Sequence, residues 1–242
     1  MKKVFLLIAV ITAIGFYSCE TKQYSCDPVA DAYVKNNLSV IKTMTREDWL
    51  QLDENEGVKR VVYSVFSTNQ KRKFWEGKIT EVIAINIWNE KEKEHLKKLL
   101  NYIRANDIFS KEADEDAIDI FLYKWCDYAT SKLKWSERLI YVIAGNGNRA
   151  CVSPTSTVAS TELQICIEDN DIDIGGGGGN NNGSKPTCRC SQVSDFCNSS
   201  PITHQSPYFT IVCKSSNCKQ TISGCGLLWM KRCDGICTPM KK

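Results

Sequence analysis

The chain has 242 residues, a length that fits one or two domains with their own hydrophobic cores. Its formal net charge is only +3, and residues 20–167 carry 21 basic and 22 acidic side chains, a balance that argues against nucleic-acid binding. The unusual feature is the 13 cysteines, because so many indicate disulfides and therefore an oxidising compartment outside the cytosol.

The N-terminus has the organisation of a bacterial export signal. Two lysines precede an apolar run over residues 4–17, which is too short for a comfortable transmembrane helix but fits a signal peptide. Ser18 then precedes Cys19, as in a lipobox, although Phe16 and Tyr17 are atypical there. We therefore predict a signal peptide over residues 1–18 and lipidation of Cys19, which would anchor the protein to a membrane. Simple secretion and an uncleaved anchor remain as alternatives.

Residues 19–167 have the periodicity of a compact helical domain, with apolar side chains at i, i+3, i+4 and i+7 along several segments. One such stripe comprises Leu96, Leu99, Leu100 and Ile103. The segments begin at residues that typically cap helices. These are Asp27, Thr45, Ser67, Asn89 and Ser136. The apolar run 139–144 predicts either a helix or a strand.

The helical domain contains four further cysteines, which we expect to form two disulfides. Cys151 and Cys166 flank a Ser/Thr-rich stretch that is typical of a hairpin or loop, so we pair them with each other. Cys26 and Cys126 would then join the first helix to a later one. The alternative is that Cys126 is a buried free thiol.

Residues 168–184 separate this domain from the C-terminus. They combine an acidic run with five consecutive glycines and an Asn-rich stretch, a composition typical of a flexible linker. We therefore predict a mainly α fold with a helical N-terminal domain. A small disulfide-rich module over residues 185–242 would follow on the flexible Gly/Asn linker, as a second folded unit.

The C-terminal module is too short to fold on hydrophobic burial alone, and its cysteines predict disulfides. The eight are Cys188, Cys190, Cys197, Cys213, Cys218, Cys225, Cys233 and Cys237. Their spacing lacks the C-x2-C pairs of typical zinc sites, so we expect no metal. The pairing stays open, since eight cysteines allow about 105 connectivities.

The module is strongly basic, with eight Lys or Arg against two acidic residues, a net charge of +6. Its apolar residues Leu227, Leu228 and Trp229 are followed closely by Lys231 and Arg232. An apolar patch beside basic groups is suited to contact with an anionic membrane or another bacterial envelope component. The alternative is that the three apolar residues form the small core of the module.

The sequence contains no convincing catalytic constellation. His95 lies in a run of charged residues that predicts a solvated helix face, and His204 lies in a Pro-rich loop. Neither is accompanied by a recognisable nucleophile and orienting group. We expect a protein that is not an enzyme and that needs no cofactor.

Two regions resemble the fulvocin C-related bacteriocin-like lipoproteins. The similar segments are residues 44–50, 70–78 and 88–96 of the body, and 188–190, 194–197, 224–229 and 233–237 of the module. The resemblance implies export and a terminal module similar to a small disulfide-rich bacteriocin. We therefore expect a lipoprotein that displays an antibacterial module, or alternatively a cell-surface binding or adhesion lipoprotein that does not kill.

Overall fold

The computed structural model describes residues 22–25, 28–152, 163–166, 188, 190–192, 209–218, 220 and 224–241. Several predictions fall outside these residues. They concern the signal peptide, Cys19, Cys26, the cap at Asp27, the linker 168–184, Cys197 and His204. The described part confirms a mainly α fold with a disulfide-rich C-terminal region.

Seven α-helices make up most of the body. They are α1 Pro28–Ile41, α2 Arg46–Leu50, α3 Glu56–Val65, α4 Thr68–Ala84, α5 Glu90–Ala105, α6 Glu115–Ser131 and α7 Glu137–Ile140. The predicted caps at Thr45, Ser67, Asn89 and Ser136 each accept a hydrogen bond from a backbone N–H in the first turn. These bonds satisfy donors that a helix start leaves unpaired, so they fix where each helix begins.

The predicted apolar stripes form the core of the body. All four stripe residues of α5 are buried, and α6 buries Ile118, Leu122, Trp125 and Ala129. The run 139–144 is helical, because α7 continues directly into a π-helical turn, Tyr141–Gly145, with Val142, Ile143 and Ala144 inside the core.

The prediction for His95 is wrong, since only 3% of its surface is exposed. Its ring stacks against Trp125, with ring centres 4.8 Å apart, and against Tyr128 at 4.9 Å. His95 stands four residues before Leu99, so the helical repeat places it at the edge of the buried stripe. The charged residues around it in sequence point elsewhere on α5 and conceal this position.

A short hairpin follows the helices and confirms one predicted disulfide. Strands β1, Ala150–Val152, and β2, Leu163–Ile165, pair antiparallel, with Cys151 opposite Gln164. Cys151 is bonded to Cys166, as the flanking positions of these two cysteines predict.

The C-terminal module contains a second antiparallel pair, β3 Phe209–Ser215 and β4 Gly235–Lys241, in which Cys213 lies opposite Cys237. Between these strands the chain makes a 3-10 turn, Leu227–Trp229. All three residues of this turn belong to the same core cluster as the helices of the body. In the described residues the module therefore shares a hydrophobic core with the body, and separate folding of the two units stays a prediction.

Candidate functional site

The described disulfides of the module form a compact group near the body. Three bonds are present, between Cys188 and Cys218, Cys190 and Cys213, and Cys225 and Cys233. Cys188, Cys225 and Cys233 are buried together as a small cluster of their own. In the described part of the module, sulfur thus takes the place that aliphatic side chains occupy in the body.

The last of these disulfides closes a loop of residues 225–233, which together with Gly224 is called the anchor loop below. Its ends are also joined by two backbone hydrogen bonds between Cys225 and Lys231, of 3.1 and 2.9 Å. Inside the loop Leu228 and Trp229 have φ values of 52° and 53°, in the left-handed region that L side chains rarely adopt. Such residues cost roughly 1–3 kcal/mol each, so surrounding contacts must hold them in place.

Trp229 supplies the largest of these contacts. It is 1% exposed, and its ring lies 5.0–6.0 Å, centre to centre, from four aromatic rings of the body. These rings, called the aromatic pocket below, belong to Trp49, Tyr63, Phe74 and Trp75. The indole Nε1 of Trp229 donates a hydrogen bond of 2.9 Å to the Gly145 carbonyl, so its one polar group is also satisfied.

Tyr63 joins the pocket to the backbone of the anchor loop. Its hydroxyl donates to the Leu228 carbonyl at 3.3 Å and accepts from Trp75 Nε1 at 2.9 Å. Burial raises the pKa of Tyr63, which keeps the hydroxyl protonated and able to donate. The loop is therefore held by directed hydrogen bonds as well as by burial.

Two charged contacts also join the anchor loop to the body. The Arg60 guanidinium lies 5.0 Å from the centre of the Trp229 ring and donates to the Gly224 carbonyl. Lys231 of the anchor loop forms an ion pair of 2.6 Å with Asp119 of α6. Arg232 is exposed.

These positions correct the predicted contact patch. Leu227, Leu228 and Trp229 are buried against the body, so in this folded state they present no apolar surface to a membrane. The alternative prediction, that these three residues are core residues, agrees better with the structure. The core they join is that of the helical body and not one of the module alone. Lys231 is engaged by Asp119, which leaves Arg232 as the exposed member of the predicted pair.

A buried polar group holds the segment that receives Trp229. Lys78 is fully buried and donates at 2.6 Å to the Asn148 carbonyl, while Arg46 donates to the Gly147 carbonyl at 3.2 Å. Glu81 accepts from Arg46 at 2.8 Å and from the backbone of Ala150 at 3.1 Å. Together these bonds fix the chain over residues 147–150, directly after the carbonyl that binds the indole.

Lys78 has an unusual protonation equilibrium because of this position. Burial, together with the nearby Arg46 charge, lowers the pKa of Lys78 to about 7. Sequence reasoning did not single out Lys78, yet a signal was present. It lies three residues after Trp75 and four before Val82, on the inward face of α4.

Gly147 is required by the close approach of two rings. A Cβ atom at this position would lie 2.7 Å from the Phe74 ring and 3.0 Å from the Trp229 ring. A side chain here would force the Phe74 ring to move and would press on the Trp229 indole. Sequence reasoning missed this glycine, because only the folded chain brings residues 74, 147 and 229 together.

Cys126 of α6 carries a free thiol, which contradicts the predicted bond to Cys26 and agrees with the alternative of an unpaired thiol. Burial raises the pKa of the Cys126 thiol to about 12, so it stays protonated and unreactive at neutral pH. An even number of cysteines permits pairing but does not require it.

The described ranges contain no candidate cation site and no candidate membrane span. These residues contain no group of three or more His, Cys, Asp or Glu placed to hold a metal ion. Nor do they include a helix that combines the length and apolar character needed to cross a bilayer.

No family model matches this chain, and no curated protein or solved structure is detectably similar to it. The resemblance to fulvocin C-related lipoproteins therefore stays a prediction. The anchor loop and the aromatic pocket have to be interpreted from their own geometry.

Proposed function

We propose that this chain is an exported, lipid-anchored protein with a bacteriocin-like C-terminal module, and that its helical body keeps the module docked. The clustered disulfides carry the first part of the proposal, because such crosslinks persist in oxidising compartments. The signal-like N-terminus with Cys19 agrees with export. The basic character of residues 185–242 agrees with a target in the anionic bacterial envelope.

The docked state is an inactive form of the module in this proposal. The Leu-Leu-Trp sequence provides the apolar surface that membrane contact needs, but the aromatic pocket covers it. The anchor loop must therefore leave the pocket before the module acts. No described disulfide joins the body to the module, so after a cut between them the described residues of the two regions would be held by non-covalent contacts alone.

The second candidate is a cell-surface binding or adhesion lipoprotein without killing activity. The burial of Trp229 favours this second candidate, since a permanently docked loop serves as a structural anchor and not as an antibacterial surface. A ligand would then contact exposed groups of the module such as Arg232.

Growth inhibition by the whole chain, before and after a cut, separates the two candidates. A protease site is inserted between residues 175 and 183, and both forms are tested in oxidised solution on a panel of bacteria. The first candidate predicts inhibition by the cut chain and little by the intact one. Cell binding without inhibition, equal for both forms, would favour the second candidate.

Anchoring is tested separately with Cys19→Ser. If the lipid is the anchor, this variant should appear in the soluble fraction, because the near-neutral body gives little membrane affinity of its own. Cys126→Ser is the matched control and should stay with the membrane. Retention of Cys19→Ser in the membrane fraction would contradict lipid anchoring.

A further inference from the structure

A second candidate site lies away from the anchor loop, on the outer side of α5 and α6. It is a shallow cleft of about 210 Å³. Its lining is aromatic and basic, and consists of His95, Lys98, Phe121, Lys124, Trp125 and Tyr128. None of these six residues holds the anchor loop, so the cleft needs an explanation of its own.

Two lysines give the cleft a positive rim. Lys98 and Lys124 are both exposed, and neither forms an ion pair with an acidic side chain among the described residues. The ammonium of Lys98 lies 5.5 Å from the centre of the Tyr128 ring. Two unpaired cations that border one small volume attract a carboxylate or a similar anion.

His95 supplies an unpaired hydrogen-bond acceptor. Its Nε2 lies 3.0 Å from the Trp125 carbonyl, which only accepts, so Nε2 carries the hydrogen. Burial lowers the pKa of His95, so the ring is neutral at pH 7 and Nδ1 has a lone pair. This buried Nδ1 has no hydrogen-bond partner in the described structure. A buried acceptor without a partner is energetically unfavourable, and a donor group of a ligand would satisfy it.

The floor of the cleft is held rigidly. The His95 ring stacks on Trp125 with only 9° between the ring planes, and Trp125 Nε1 donates to the His95 carbonyl at 3.1 Å. Phe121 stacks on Tyr102, with ring centres 3.5 Å apart. A fixed apolar floor lets a flat ligand bind without first ordering the protein.

We propose that the α5–α6 cleft binds a small aromatic carboxylate that also carries an O–H or N–H donor. The carboxylate would lie between the ammonium groups of Lys98 and Lys124, and the ring would cover Phe121. The donor would reach His95 Nδ1 after a rotamer change of the exposed Tyr128, a fast motion for a surface side chain. This site is independent of the anchor loop and of the proposed antibacterial role.

Three probes separate the charge contribution from the donor contribution. The full chain is titrated with 4-hydroxybenzoate, benzoate and the uncharged 4-hydroxybenzyl alcohol, and the indole N–H signal of Trp125 is followed by NMR. We expect 4-hydroxybenzoate to bind about threefold or more tightly than benzoate, because only it offers a donor. The uncharged alcohol should bind weakest of the three.

Paired variants then assign the residues. Lys98→Gln with Lys124→Gln should weaken both carboxylates about fivefold, a size expected for two exposed charge contacts. Lys91→Gln with Lys97→Gln removes the same charge from α5 outside the cleft and should change affinity less than about twofold. His95→Phe keeps an aromatic ring and should abolish the preference for 4-hydroxybenzoate over benzoate.

The proposal is overturned if 4-hydroxybenzoate shows no saturable binding up to about 10 mM. Equal weakening by the two lysine pairs would also overturn it, because long-range charge rather than the cleft would then explain the binding. A folded His95→Phe variant that keeps the preference removes the assigned role of Nδ1. If His95→Phe does not fold, the lysine pairs and the uncharged probe still decide the outcome.

Discussion

The body and the module stabilise their folds by different means. The body buries stripes of large apolar side chains between helices, whereas the described part of the module buries a cluster of cysteines. Three apolar residues of the module, Leu227, Leu228 and Trp229, lie in the core of the body instead. A small disulfide-rich region can thus be covalently closed and still depend on a neighbouring domain for its hydrophobic burial.

This dependence has a consequence for unfolding. If the two regions share one core, loosening the anchor loop should lower the stability of the helices as well. If they are independent, the helices should not respond. Four experiments, from the largest expected effect to the smallest, distinguish these cases.

Trp229→Ala should have the largest effect. It removes a ring that is packed against four others and leaves a cavity, so we expect a loss of about 3–5 kcal/mol from the free energy of unfolding. The measurement is urea denaturation of the oxidised full chain, followed by helical circular dichroism.

Tyr123→Ala is the control for this experiment. Tyr123 is 73% exposed on α6, so its removal should change stability by no more than about 0.5 kcal/mol. If Trp229→Ala costs the helices less than about 1 kcal/mol, the shared core contributes little and the regions behave as separate units.

Removal of the Cys225–Cys233 disulfide should rank second. The sequence separation of 8 residues implies a loss of about 2–3 kcal/mol on replacing both cysteines by serine. The left-handed residues inside the loop would also lose a constraint. Cys126→Ser, which breaks no disulfide, should change stability by less than about 1 kcal/mol in the same denaturation assay. Equal effects of the two changes would contradict a role for the loop closure.

The pH dependence of stability should show the burial of Lys78. Its pKa is about 7 in the folded chain and near 10.5 when unfolded, so the unfolded chain binds more protons between these values. The free energy of unfolding should therefore rise with pH in this window, by roughly 1 kcal/mol per pH unit around pH 8–9. Below pH 7 Lys78 is protonated in both states, so the destabilisation caused by burying its charge should be at its full size.

Lys78→Met isolates this contribution, because Arg46, Glu81 and other groups are unchanged. The difference in unfolding free energy between the wild type and Lys78→Met should change by roughly 1 kcal/mol per pH unit around pH 8–9. A difference that stays constant from pH 6 to pH 10 would show that Lys78 keeps an ordinary pKa.

The ion pair between Lys231 and Asp119 should matter least. Both side chains are partly exposed, so Lys231→Ala should cost less than about 1 kcal/mol, and the cost should shrink in high salt. Arg232→Ala is the matched control and should have no measurable effect. If Arg232→Ala lowers the stability more than Lys231→Ala does, the ion pair of Lys231 is not the charged contact that stabilises this region.

Local sequence signals predicted much of the body correctly. The caps at Thr45, Ser67 and Asn89 hydrogen-bond to residues three positions away, so their geometry depends on neighbours in sequence. The stripe of α5 is likewise set by the helical repeat. The disulfide between Cys151 and Cys166 followed from a short separation in one hairpin.

The errors concern long-range contacts. His95 was assigned to solvent because its neighbours in sequence are charged, but rings of α6 cover it. Cys126 was paired by counting cysteines, a method that contains no geometry. The Gly/Asn composition of residues 168–184 predicts a flexible connection, and it carries no information on whether the connected regions touch.

The sequence by itself determined the helix starts, the buried stripes and the presence of disulfides, since each depends on local hydrogen bonding, helical period or composition. Only the tertiary structure decided which cysteines pair in the module and where Trp229 is buried. It brings Trp49 of α2, Tyr63 of α3, and Phe74 and Trp75 of α4 around one indole. Such a pocket arises from shape and burial between residues more than 150 positions apart, a relation that no local pattern encodes.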